Sequence, residues 1–169
     1  LTAIAFSRGP GSFSGVRINA AVAQALAWSH DLPVIPVSSL QALAQAAFRL
    51  SGLTQVTAVL DARMQEVYIA NFRLDQQGIM QPLDEEKLLS YERAANYAQF
   101  SAIGSGAALI QPSQDNAAAT PYMMATAQDI ASIARVAAAQ QQWLDAAQAL
   151  PVYLRDDAWK KIAEQGKAN

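Results

Sequence analysis

Cysteine is absent from the 169-residue chain, which removes disulfides, thiolate zinc sites and cysteine nucleophiles together. Histidine occurs once, at His30, so no His-x-x-His pair or two-histidine metal set can form within the chain. Charge is scarce: 15% of the residues are Asp, Glu, Lys or Arg, against about 25% in an average globular protein. The net charge of −2 lacks the basic excess of a chain whose main task is gripping a phosphate backbone. No apolar run reaches the about 18 residues needed to cross a membrane; the nearest, 18–28, carries Asn19 and Gln24. These absences predict a cytoplasmic protein that makes no use of a membrane.

What is present is apolar. Hydrophobic residues make up 52% of the chain, too many for a disordered polypeptide. The length suits one domain or two small ones. Residues 1–6 predict a strand and 14–30 a helix entered through a Gly/Pro/Ser turn, with Ser12 or Ser14 as its cap. Residues 32–37 predict a second strand, and Ser38 and Gln41 have capping-box spacing before a helix that Gly52 ends. Residues 54–60 and 66–74 alternate as two strands of a hairpin, and 85–100 reads as a helix. A short strand at 101–103, a polar loop at 111–120, a helix from Thr126 and an extended stretch at 151–155 follow, before a polar tail beyond Trp159. The chain opens directly on a strand-like run at Leu1, so further residues are expected before it.

The most informative stretch is Arg8-Gly9-Pro10-Gly11-Ser12-Phe13-Ser14-Gly15-Val16-Arg17. A glycine-rich turn between strand and helix exposes backbone amides at the positive end of a helix dipole, which suits an anion. It is not a Walker A loop, because no lysine or hydroxyl follows Gly15, and it misses G-x-G-x-x-G by one residue. A plain tight turn fits the residues equally well. The helix beyond it is small-sided at Gly15, Ala20, Ala21, Ala23, Ala25 and Ala27, with a larger stripe of Ile18, Val22 and Leu26. A helix apolar nearly all round must be covered nearly all round. One side can pack on a sheet; the other calls for a partner helix or for more of the same chain. Asp61, Arg63 and Glu66 are expected to pair and stiffen the hairpin rather than to do acid–base work, and His30 to sit at a helix end where the dipole favours it. Ser12 and Ser14 form no G-x-S-x-G elbow. Trp28, Trp143 and Trp159 are too scattered to form a stacking platform.

Three stretches then resemble one family. The glycine-rich stretch from Arg8 to Arg17 resembles the G-R-G-P-G-S-F-T-G-[LV]-R hallmark of the TsaB family, also called YeaZ. Asp61-Ala62-Arg63-Met64-Gln65-Glu66-Val67-Tyr68 resembles its D-A-R-x-x-E-V-Y hallmark, with Gln65 where glycine is common. Pro151-Val152-Tyr153-Leu154-Arg155 resembles its P-x-Y-L-R hallmark. The three come in the family's order. The resemblance implies an α/β, actin-like ATPase fold of the sugar-kinase/heat-shock superfamily, built of ribonuclease-H-like subdomains. The first subdomain is incomplete, because the family's opening D-T-[AS] hairpin is not in this sequence. Residues 1–52 would be the rest of that subdomain, 53–150 the second, and 151–169 a segment packing back on the first.

The resemblance also implies a role: making threonylcarbamoyladenosine beside the tRNA anticodon, as a non-catalytic subunit that dimerises with and activates a TsaD-type transferase. A TsaE-type ATPase joins the pair, a homodimer forms when the partner is absent, and tRNA is met indirectly. TsaD holds its metal through a His-x-x-x-His motif that a chain with one histidine cannot reproduce. No cofactor or metal is expected on this chain itself, with ATP or ADP at the complex interface. The implied partner contacts are Gly15, Ile18, Asn19, Val22, Ala23 and Leu26. Arg8, Gly9, Pro10, Gly11, Ser12, Phe13 and Arg17 form the motif loop, a contact for an anion or the partner. Asp61, Arg63, Glu66, Tyr68, Tyr153 and Arg155 are read as structural. Two other readings remain: a nucleotide-dependent oxidoreductase using the Gly9–Gly15 turn, and a peptidase-like protein.

Overall fold

The computed structural model describes residues 1–111 and 123–155. The polar loop expected at 111–120, Gln111 apart, and the tail beyond Trp159 lie outside the described residues. Two sheets flank a shared helix. In the first, β1 (Ile4–Gly9) and β2 (Val34–Ser38) run parallel, with Ile4 opposite Val34, and are joined through α1 (Phe13–Ser29). The second is built on the antiparallel hairpin of β3 (Gln55–Arg63) and β4 (Glu66–Leu74). The outer edge of β4 is shared by two short strands: β5 (Met80–Pro82) beside Phe72 and β6 (Lys87–Ser90) beside Val67. After α3 (Tyr91–Tyr97), β7 (Ala102–Ile103) runs parallel to β3 on its other edge. The helices α4 (Ala107–Ile110) and α5 (Ala127–Ala139) and a short 3-10 turn at Ala146–Gln148 complete the described chain. The mixed α/β order agrees with the fold that the sequence motifs imply.

The shared helix is α2 (Ser39–Ser51). It has no β-branched residue, and both ends are capped. The Ser38 hydroxyl accepts the amides of Leu40 and Gln41 at 3.1 and 3.2 Å. Gly52 adopts the left-handed conformation at φ 67° and returns its N–H to Phe48 O. Only half of the expected capping box forms, since the Gln41 side chain donates to Met80 O instead. One side of α2, with Leu40, Leu43, Ala44 and Ala47, packs on Val56, Ala58, Phe72 and Ile103 of the second sheet. Ala42, on another side, meets Ile35 and Val37 of the first sheet and Ile133 and Ala134 of α5. Even Gln45 is buried, donating to Gly78 O at 3.0 Å and accepting from Met80 N at 2.9 Å.

Two polar features lock this packing. Asp129, fully buried in the first turn of α5, accepts a two-pronged bond from Arg49 of α2 at 2.7 and 3.0 Å. It also accepts from the Thr126 amide and hydroxyl. Burial works against its charge, but these donors outweigh burial and hold its carboxyl below the usual range. Between the strands, Thr57 donates to Asn71 Oδ1 at 2.6 Å, and Asn71 donates to Asp84 from both its backbone and its side chain. The backbone amides of Gln99 and Phe100 close the knot on Asn71 and Thr57.

The structure departs from the sequence reading in the bounds and type of several elements. Strand β1 starts at Ile4 rather than Leu1 and continues to Gly9. Strand β3 runs on to Arg63, so the hairpin turn shrinks to Met64 and Gln65. The helix expected over 85–100 is a strand, β6, followed by a helix of seven residues. The outer edge of β4 offers unpaired backbone groups there, and pairing them outweighs the helical preference of Lys87, Leu88 and Leu89.

Candidate functional site

Strand β1 delivers the chain to Gly9 at φ 99°. A Cβ there would meet Val152 O and a Val16 methyl, each at 3.2 Å. Glycine therefore answers both a backbone angle and a close approach of the 151–155 segment. Ser12 takes the cap position of α1, but its side chain makes no capping bond, contrary to expectation. At the far end, His30 caps α1 through its backbone, and its ring Nδ1 lies 3.1 Å from Leu26 O.

The faces of α1 are unequal. Val16, Ala20, Ala23 and Ala27 are buried; the three alanines pack on Phe6, Val34, Ala146 and Ala149. On the other side, Ile18 is 64% exposed, Val22 52% and Leu26 46%. Of the six expected partner contacts, these three share the open face. Ala23 must be reassigned: it is 3% exposed and belongs to the core of this chain. Asn19 is tied to Ser7 O at 3.0 Å. Gly15 lies exposed in the first turn, where the Ser12 hydroxyl would be 2.6 Å from a Cβ.

The three sequence motifs meet at one end of the molecule, and the 151–155 segment joins them. Val152 N–H donates to Arg8 O at 2.8 Å. Arg17 Nε donates to the Tyr153 hydroxyl at 2.7 Å while its guanidinium stacks 3.7 Å from the Phe13 ring centre. At the other end of the segment, Arg155 pairs with Glu66 at 2.7 Å and donates to Ala62 O at 3.1 Å. Its second prong reaches the Met64 sulfur at 3.4 Å. The hairpin tip so held is unusual: Arg63, Met64 and Gln65 all have positive φ, at 63°, 54° and 60°, a conformation that disfavours L side chains. Between turn, tip and segment lies an open cleft of about 400 Å³, lined by Gly11, Phe13, Asp61, Tyr68 and Leu154 among others. Pro10 continues the turn through a cis bond from Gly9.

The carboxylates of the hairpin motif are engaged. Asp61 pairs with Arg63 at 3.1 Å and accepts the Arg63 amide at 2.8 Å; Glu66 pairs with Arg155. Among the described residues no group of three or more His, Asp or Glu side chains is arranged to hold a metal ion. Sequence reasoning missed Glu86, which pairs with Arg8 at 3.2 Å and also takes the Ser38 hydroxyl. Nothing in local spacing joins positions 78 apart. It also missed Ser105, whose hydroxyl accepts the Asp61 amide at 3.1 Å.

Residues 1–168 match the family described as TsaD, tRNA N6-adenosine threonylcarbamoyltransferase. The tRNA threonylcarbamoyladenosine biosynthesis protein TsaB of Haemophilus influenzae is 40% identical over 95% of this chain and 73% of its own length. The protein of the same name from Escherichia coli is 37% identical over 96% of this chain and 74% of its own. The solved structure of YeaZ from Pseudomonas aeruginosa superposes with a TM-score of 0.82 at 40% identity, covering 91% of this chain and 74% of that one. With sequence similarity running nearly end to end and the same fold beneath it, the chain belongs to the TsaB family.

Proposed function

We propose that the protein serves tRNA threonylcarbamoyladenosine biosynthesis as a non-catalytic subunit that docks on, and thereby activates, a TsaD-type transferase. The observation that carries this reading is the open row of Ile18, Val22 and Leu26 on α1, a helix whose opposite face is already used by the core. Apolar side chains spaced four apart on a rigid helix suit a second helix laid alongside. Support for the biosynthetic role comes from relatives whose names carry it. A TsaE-type ATPase completes the assembly, ATP or ADP is held at the complex interface, and two copies pair through the same face when the transferase is absent. The oxidoreductase alternative draws no support from Gly9, because the close approach that its missing Cβ allows is made by Val152 O of the chain itself.

The test is co-purification with a TsaD-type protein together with nucleoside analysis of tRNA. Wild-type protein restores threonylcarbamoyladenosine in depleted cells, and Val22→Arg, folded by circular dichroism, does not. Full complementation by Val22→Arg with an intact complex rejects the docking face.

A further inference from the structure

Residues 151–155 have no regular secondary structure, yet Tyr153 at the middle and Arg155 at the end are each tied through an arginine to a different element. Tyr153 accepts from Arg17 on α1, 136 positions away in sequence. Arg155 donates to Glu66 and Ala62 at the hairpin tip. Just before the first tie, Val152 is fixed by its bond to Arg8 O and by contact with Gly9. The segment crosses the open cleft that separates the first turn of α1 from the tip. The tip carries three consecutive left-handed residues, Arg63, Met64 and Gln65, a conformation costly for L side chains.

We propose that 151–155 is a two-ended strap that couples the first turn of α1 to the β3–β4 tip, with Tyr153 and Arg155 as positioning residues. Loosening either tie loosens the other element, and a partner seated on α1 tightens the tip. Only this last clause rests on the docking reading above. The coupling is reciprocal by thermodynamic necessity, and couplings of this type commonly amount to about 5–150-fold in an equilibrium constant.

Amide hydrogen exchange on the full chain tests it without a partner. Arg155→Gln is expected to raise exchange about fivefold or more at residues 13–17, and Tyr153→Phe to do the same at 63–67. Tyr153→Phe keeps the ring against Phe13 and removes only the hydroxyl, so it guards against a misfolded Arg155→Gln. Arg155→Lys, which retains the charge facing Glu66, is expected to restore part of the protection. Exchange that rises only next to each substituted residue overturns the strap. With the TsaD-type protein added, wild-type exchange at 63–67 is expected to fall about fivefold. If the partner binds through Val22 and the tip does not respond, the strap is wrong and the docking reading stands. If the partner does not bind while the two variants act across the cleft, docking is wrong and the strap stands.

Discussion

Helices α1 and α2 are built of nearly the same material and are used in opposite ways. Both are rich in alanine, neither has an acidic residue in its first turn, and both follow a strand of the first sheet. Yet α2 buries seven residues between two sheets and α5, whereas α1 buries four and leaves a row of large apolar side chains in solvent. The caps differ in the same sense: Ser38 holds two amides of α2, and the Ser12 side chain holds none of α1. Composition therefore does not decide what an apolar helix is for. The number of its faces that the rest of the chain can reach does.

Four measurements would sharpen or break that contrast. The largest effect is expected in the middle of the fold. Leu40→Ala in α2, fully buried, should cost about 3–4 kcal/mol in urea unfolding, whereas Leu26→Ala on the open face of α1 should stay within about 0.5 kcal/mol. A similar cost for both would mean that α1 is as enclosed as α2.

Next comes the tie that closes α5 over α2. Asp129→Asn removes the partner of Arg49 and should cost about 3 kcal/mol at pH 7. The folded-state pKa of Asp129 is depressed, so its contribution is complete above the unfolded value of about 4 and is lost as pH falls through the folded value. The gap between wild type and Asp129→Asn should accordingly close in acid. A gap that widens below pH 4 would contradict the sign.

Third, Val22→Arg should leave urea stability within about 0.5 kcal/mol and weaken binding to a TsaD-type protein by about 2 kcal/mol or more, roughly thirtyfold. Isothermal titration reads both partners directly, and unchanged affinity would remove the reason α1 stays open. The smallest effect concerns the caps. Ser38→Ala should cost about 1 kcal/mol and Ser12→Ala only a few tenths in thermal melts; equal costs would erase the asymmetry.

Much of this was legible in the sequence because it is local. The cap at Ser38, the helix end at Gly52, the hairpin alternation of Val67 to Leu74 and the helix start at Thr126 all act over a few positions. Periodicity also marked Ile18, Val22 and Leu26 as one stripe, but only the packed structure shows that Ala23 lies on the opposite side. The helix expected over 85–100 fails for the same reason: an unfilled sheet edge, invisible in sequence, recruits Lys87–Ser90. At the site, the three motifs were each readable as strings. Their meeting was not, because Arg17 with Tyr153 and Arg8 with Glu86 are joined across most of the chain. The resemblance to a family grouped the motifs, and the packing of residues 151–155 supplies the physical reason they travel together.

The buried knot of Thr57, Asn71 and Asp84 also bears on how this hairpin can change over time. A one-residue slip of β4 against β3 would carry Asn71 to the opposite face, leaving Asp84 without the side-chain donor it now has and the Gln99 amide without its acceptor. Drift at any one of these positions is thus hemmed in by the others, and viable variation there has to arrive as a concerted set. Descendants of this chain should keep or exchange the whole group, never a single member.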